Sequence, residues 1–157
     1  MASYKHAWKN RQFCLIPAQA FYEPCWETGK HVRTKITLAS GELFAMAGIW
    51  ERWKRDGKTI ESYSMITINA DDHPVMNRMH KPGEEKRMPV ILHLDDYDRW
   101  LNATTEEAFR MCQQFPAELM HTENAKPVPR AKKGKPEIAE QSGGAEFVKS
   151  PELQRTE

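Results

Sequence analysis

The order of elements in this 157-residue chain predicts an α+β domain: a mainly antiparallel β sheet or open barrel with flanking helices. Three observations carry that prediction. Over residues 32–38, Val32, Thr34, Ile36 and Leu38 alternate with Arg33, Lys35 and Thr37, the period-2 pattern of a half-buried strand. Asp56-Gly57 marks a hairpin between two long strand-like stretches, because such a turn needs positive φ and Gly supplies it without strain. The strand-like segments all come early, and two helical segments follow them.

Taken in order, residues 13–23 read as a strand ending in a polar turn near Pro24. The alternating strand at 32–38 comes next, and Ser40-Gly41 then turns the chain into Leu43 to Trp53, a largely apolar stretch suited to a central strand. Beyond the Asp56-Gly57 turn, Ile60 to Ile68 is the returning strand. Residues 70–80 hold Pro74 and little alternation, so a loop or short helical turn is expected there. Met88 to Leu92 reads as a further short strand. Asp95 is positioned to cap a helix running through Leu101, and Thr104-Thr105-Glu106-Glu107 has the capping-box pattern ahead of a helix from Ala108 to Phe115. After about residue 124 large apolar residues become sparse. The domain is therefore expected over 1–140, with a disordered tail over 141–157 that has too little apolar surface to offset its ordering entropy.

With 39% hydrophobic residues the chain can bury one compact core, so a single domain is expected. No apolar run approaches the roughly 18 residues of a membrane span, and Met1-Ala2-Ser3-Tyr4-Lys5-His6 lacks the apolar centre of a signal peptide. A cytoplasmic, membrane-free protein is the expectation. Three cysteines, an odd number, argue against a disulfide framework and fit reduced thiols. A formal charge of +1 creates no global field that demands a polyanionic partner, so any such partner must be read from local patches.

Glu23 follows Phe21 and Tyr22 and precedes Pro24 and, shortly after, Trp26. A carboxylate among aromatics is partly desolvated, which raises its pKa and suits proton transfer, although an ordinary surface Glu at a strand end fits the same pattern. His80 lies in a loop rich in Asn, Arg, Lys and Gly, and histidine is the side chain best placed to exchange protons near neutral pH; a structural or solvated His is the plainer reading. His73 and His80 are seven residues apart and Cys14, Cys25 and His31 are scattered, without the close ligand pairs of structural zinc, so no metal is expected. Cys14 and Cys112 read as core thiols, and Cys25 as the most exposed of the three. Two basic segments bear on partners. One is Lys126 to Lys135; the other sets Lys5, His6, Lys9 and Arg11 among Tyr4, Trp8 and Phe13. Cations interleaved with rings suit single-stranded nucleic acid, with phosphates on Lys and Arg and bases on aromatic faces, while a solvated basic face is the alternative.

Four segments together resemble one family, the SOS response-associated peptidases, also called abasic-site processing proteins. They are CLIPAQAFYEP at 14–24, AMAGIWERW at 45–53, SMITINADDHPVMNRMHKPGEEKRMPVIL at 64–92 and PVPRAKKGKPEI at 127–138. They occur in the family's order and cover nearly all of residues 6 to about 140. The resemblance implies a mainly β fold that binds single-stranded DNA carrying abasic sites, in the bacterial cytoplasm and on the nucleoid when DNA-bound, as a monomer without cofactor. In the family a cysteine directly after the initiator Met condenses through its amine with the abasic-site aldehyde, and its thiolate closes a thiazolidine ring. Glu23 matches the glutamate and His80 the histidine that assist these proton transfers. The same residues are given a self-processing peptidase role. DNA contacts are expected from Arg87, Arg11, Lys9 and Trp8.

The sequence departs from the family pattern at identifiable points. It begins Met1-Ala2-Ser3 rather than Met-Cys-Gly-Arg, and the N-A-R-x-E segment that brings an asparagine to the site has no match. Glu23 is followed by Pro24, and His80 is separated from Arg87 by an insertion. The expectation is therefore a C-terminal portion of such a protein that lacks the nucleophile. The competing expectations are a noncatalytic single-stranded DNA-binding module and an inactive remnant.

Overall fold

The computed structural model describes residues 4–125, so the expected tail at 141–157 and the basic segment Lys126 to Lys135 lie outside the described residues. The elements are α1 (Lys5–Lys9), β1 (Phe13–Ala18), β2 (Phe21–Cys25), β3 (Val32–Leu38), β4 (Phe44–Arg55), β5 (Lys58–Met65), β6 (Thr67–Asn69), β7 (Arg87–Pro89), β8 (Ile91–Leu92), α2 (Tyr97–Asn102), α3 (Thr105–Met111) and β9 (Met120–Asn124). Among the described residues every strand pairing is antiparallel. One sheet runs β1-β4-β5 with β8 also on β4, a second runs β2-β3-β9, and β6 pairs with β7. The expected fold class holds in its sheet form: the sheets are open rather than closed into a barrel.

β4 is the shared strand. Its first half, from Phe44 to Ile49, pairs with β1, and its second half, from Gly48 onward, pairs with β5 through the Asp56-Gly57 turn, where both residues take positive φ as the hairpin requires. Gly48 sits where the two pairings overlap. A Cβ there would lie 2.7 Å from Ile16 Cδ1 and 2.9 Å from Cys14 Sγ, so only glycine lets the β1 side chains close over the strand.

Several boundaries differ from the sequence reading, each for a local reason. The stretch 13–23 is two strands in two sheets, β1 and β2, with a bend at Gln19; Pro17, the nearest breaker, lies inside β1. Pro24 lies inside β2 rather than in a turn, which is tolerated because β2 is an edge strand. The 60–68 strand breaks at Ile66 and the 88–92 strand at Val90. At those two residues the chain changes partners: Val90 N–H donates to Ile66 O (2.9 Å), Ile66 N–H to Ala47 O (2.9 Å) and Ala47 N–H to Val90 O (2.8 Å). Asp95 is not the cap of α2; Asp96 holds the N-cap position without a side-chain bond, and a 3-10 turn over Leu94–Asp96 leads in. The second helix starts at Thr105 and ends at Met111, short of Phe115. β9 and α1 are additional elements.

The buried side chains form two clusters. Ile36, Phe44, Met46, Met76, Met79, Met88 and Phe115 centre the first, between the β2-β3-β9 sheet and the 70–80 segment. Phe13, Ile49, Val90, Leu92, Trp100 and Ala108 centre the second, beneath the helices, where the fully buried Trp100 donates its indole N–H to Cys14 O (3.0 Å). α3 carries the predicted capping box. Thr104 Oγ1 accepts from Glu107 N–H (3.2 Å), and Glu107 Oε2 accepts from Thr104 N–H (2.9 Å). Thr104→Ala is expected to destabilise the fold by about 1 kcal/mol, read as a lower midpoint in urea with an unchanged slope.

Candidate active site

β2 places Glu23 by strand periodicity. Phe21 and Cys25 pack on the first core cluster, and Glu23 lies between them on the same face of the strand. Its carboxylate is consequently mostly shielded, with 22% of the side chain exposed. Tyr22 takes the opposite face, 44% exposed, with the Arg33 guanidinium 3.7 Å from its ring centroid.

His80 reaches Glu23 through the backbone. Cys25 and Met79 form an antiparallel bridge, held by Trp26 N–H donating to Arg78 O (3.0 Å) and His80 N–H donating to Pro24 O (2.8 Å). Proline, which gives the ladder no donor, still gives it this acceptor. His80 itself has φ of 60°, a left-handed conformation uncommon outside glycine, in which histidine, asparagine and aspartate are the more frequent of the other residues. Its Nε2 lies 3.1 Å from Arg87 O and 3.7 Å from Glu23 Oε2. A carbonyl can only accept, so Nε2 carries the proton whenever that bond is made, and Nδ1 is the ring atom that remains to take one up. The 3.7 Å separation from Glu23 is an ion-pair distance rather than a hydrogen bond. Burial pushes the Glu23 carboxyl above the ordinary glutamate range, and the neighbouring His80 charge opposes part of that rise. A carboxyl that keeps its proton nearer neutrality, beside an imidazole in a fixed orientation, can serve as general acid and base over a narrow span of space.

The other expected site residues are placed differently. Arg87 is committed within the fold: its guanidinium donates to Thr67 O (2.9 Å) and Thr67 Oγ1 (2.9 and 3.0 Å) across the β6-β7 pair, and to Glu85 Oε1 (3.1 Å). Its backbone carbonyl, rather than its charge, is what meets His80. Lys9 and Arg11 are exposed, at the end of α1 beside the other sheet, and the structure does not bring them to Glu23 and His80. Arg11 occupies the left-handed position of a Schellman motif, with φ of 54°, its N–H on Trp8 O (3.0 Å) and Gln12 N–H on Ala7 O (2.9 Å). Trp8 is half-buried on the second core cluster, edge-on to Phe13 at 5.3 Å.

His73 is a core residue. It is 2% exposed, with Nδ1 accepting from Val75 and Met76 N–H and Nε2 donating to Phe115 O (2.8 Å). All three cysteines are half-buried, so Cys25 is not set apart from the others; burial raises the thiol pKa of Cys14 and of Cys112. Among the described residues, no three His, Cys, Asp or Glu side chains converge in a way that could hold a metal ion, and no helix is long and apolar enough to cross a membrane.

Sequence reasoning missed Lys86 and Thr67. Lys86 Nζ donates to His80 O (3.2 Å) and Lys81 O (2.9 Å), and Thr67 anchors Arg87. The only signal in the sequence was the Pro82-Gly83 turn, which folds residues 81–86 back toward His80.

A raised carboxyl pKa has a definite sign for stability. Folded Glu23 holds its proton to higher pH than unfolded Glu23, so its contribution is fully present below the unfolded pKa and is lost as pH rises through the folded value. Glu23→Gln is therefore expected to melt at or above the wild-type temperature at pH 7 and to lose that advantage below the ordinary glutamate pKa. Thermal melts across pH 3.5–8 check this; a variant less stable at pH 7 than at pH 4, relative to wild type, would contradict it.

The family model for SOS response associated peptidase (SRAP) matches residues 1–130. The abasic site processing protein YobE of Bacillus subtilis (strain 168) is 36% identical over 93 residues, which are 57% of this chain and 38% of YobE. YoaM of the same organism, also named an abasic site processing protein, is 36% identical over 95 residues, 57% of this chain and 37% of YoaM. The chain thus spans less than two fifths of the length of these relatives. A crystal structure of a protein from Bordetella bronchiseptica superimposes with a TM-score of 0.78 at 40% identity, covering 81% of this chain and 61% of that one. A second, from Bacteroides thetaiotaomicron, gives 0.70 at 24% identity over 80% and 54%, and shares the fold. The match over most of its length shows that this chain belongs to the SOS response associated peptidase (SRAP) family.

Proposed function

We propose that this chain engages single-stranded DNA at an abasic site, and that Glu23 and His80 move the protons of covalent capture of the sugar aldehyde. The observation that supports this best is the pairing itself: two residues from distant segments meet at 3.7 Å, and burial raises the carboxyl pKa of one of them. In that chemistry an amine attacks the aldehyde carbon to give a carbinolamine. A protonated Glu23 donates to the departing hydroxyl, which leaves as water and yields the iminium ion, with the amine proton kept on nitrogen. A thiol then adds to the iminium carbon, whose π electrons pass to nitrogen, and His80 Nδ1 takes up the thiol proton as the ring closes. The family resemblance puts amine and thiol on one cysteine directly after the initiator Met. Position 2 here is Ala2, so supplying both groups separately isolates the share that belongs to Glu23 and His80.

The decisive assay mixes the chain with a single-stranded oligonucleotide carrying one abasic site and with free cysteine, and follows thiazolidine formation. Wild type is expected to accelerate the reaction about 100-fold over solution. Glu23→Gln and His80→Ala are each expected to lose most of that acceleration while retaining the oligonucleotide. Retention without any acceleration by wild type would instead identify a noncatalytic single-stranded DNA-binding module.

Lys9 and Arg11 are the proposed phosphate contacts, with Trp8 beside them; the Arg87 contribution is limited by its bonds to Thr67 and Glu85. Arg11→Gly removes the charge while suiting the left-handed backbone. It is expected to keep or raise the melting temperature and to reduce the slope of log affinity against log salt by about 0.7. An unchanged slope would remove Arg11 from the DNA surface.

A further inference from the structure

We propose that Lys86 is a positioning residue for His80: its ammonium clasps the His80 and Lys81 carbonyls and so holds the imidazole on the Arg87 carbonyl. His80 needs such a restraint. Its backbone is left-handed, with φ of 60°, a conformation that a non-glycine residue keeps when its surroundings hold it. Its N–H is held by Pro24 O (2.8 Å) and its ring by Arg87 O (3.1 Å). What fixes its carbonyl is Lys86, at 3.2 Å, and the same Nζ takes Lys81 O at 2.9 Å. Two carbonyls on one cation are charge-assisted bonds, stronger than neutral ones.

The lysine is itself anchored. Lys86 N–H donates to Asp71 Oδ1 (2.9 Å), Ala70 N–H donates to Lys86 O (2.8 Å), and Asn69 Nδ2 steadies the other Asp71 oxygen at 2.8 Å. Between the anchors the chain turns tightly, with Gly83 at φ of 83° and Glu84 N–H on Lys81 O (3.1 Å). The segment 81–86 is thus a closed ring that fixes His80 at one end and leads directly into Arg87 at the other. Lys86 contacts backbone carbonyls, so it acts on the chemistry through the geometry of His80.

The test uses the full chain, ¹⁵N-labelled, as wild type, Lys86→Met and Lys86→Arg. The His80 Nε2–H proton is expected as a slowly exchanging signal in wild type. It should be lost to solvent exchange in Lys86→Met and return in Lys86→Arg, whose guanidinium can also span two carbonyls. In the free-cysteine assay Lys86→Met is expected to slow the reaction about tenfold, and Lys86→Arg to stay within about twofold of wild type. A His80 signal as protected in a folded Lys86→Met as in wild type would overturn the proposal. Should Lys86→Met fail to fold, Lys86→Gln, too short to reach both carbonyls, is read the same way. The rate arm rests on the acid/base reading of His80. The proton signal is recorded without DNA, so a wild type that accelerates nothing would defeat that reading while the spectrum still decides the role of Lys86.

Discussion

The fold depends on one long strand having three partners. β4 holds β1 along its first half, β5 along its second, and β8 at Ala45 and Met46. That arrangement works only where a single position, Gly48, carries no side chain and the Cys14 and Ile16 side chains can close over it. From β4 the exchange of bonds among Ala47, Ile66 and Val90 hands the chain on to the β6-β7 pair. β7 in turn presents the Arg87 carbonyl to His80. A change in the register of β4 would therefore be felt at the site, although no β4 side chain takes part in it.

The site is assembled from main-chain contacts more than from side-chain ones. Pro24, Arg78 and Arg87 contribute carbonyl oxygens, and Lys86 acts on carbonyls in turn. Glu23 is carried by β2, and His80, which lies in a bend, is tied to that strand through Pro24 O and to β7 through Arg87 O. Arg87 illustrates the division of labour within one residue. Its guanidinium ties β6 to β7 through Thr67, and its carbonyl orients the imidazole.

What could be read from the sequence was whatever local chemistry dictates. The alternation at 32–38, the Asp56-Gly57 turn and the Thr104–Glu107 capping box all became the elements expected of them. Glu23 and His80 were recognisable as residue types, and as a resemblance, before any contact between them could be seen. Features set by distant partners were not legible. β9, with the sequence Met-His-Thr-Glu-Asn, has little apolar alternation and exists because β3 offers it an edge. The breaks at Gln19, Ile66 and Val90 lie within apolar runs, and the prolines that precede two of them, Pro17 and Pro89, sit inside strands rather than in turns, so they give no clear mark of the change of sheet. α1, five residues long and rich in cations, looked like a basic patch because its single buried residue, Ala7, gives no periodic signal. The role of Lys86 was hidden because a lysine in a polar loop carries no mark of the two carbonyls it will meet.

The left-handed backbone of His80 sets a conflict between what the main chain prefers and what the ring must do. Holding a histidine there costs roughly 1–2 kcal/mol that glycine would not incur. Glycine or asparagine at this position would relax the loop and delete the imidazole in one step. β-branched residues are barred from both ends, fitting neither the backbone nor the chemistry. Position 80 thus sets backbone ease against the presence of a ring: a residue that relaxes the loop removes the imidazole that lies 3.7 Å from Glu23.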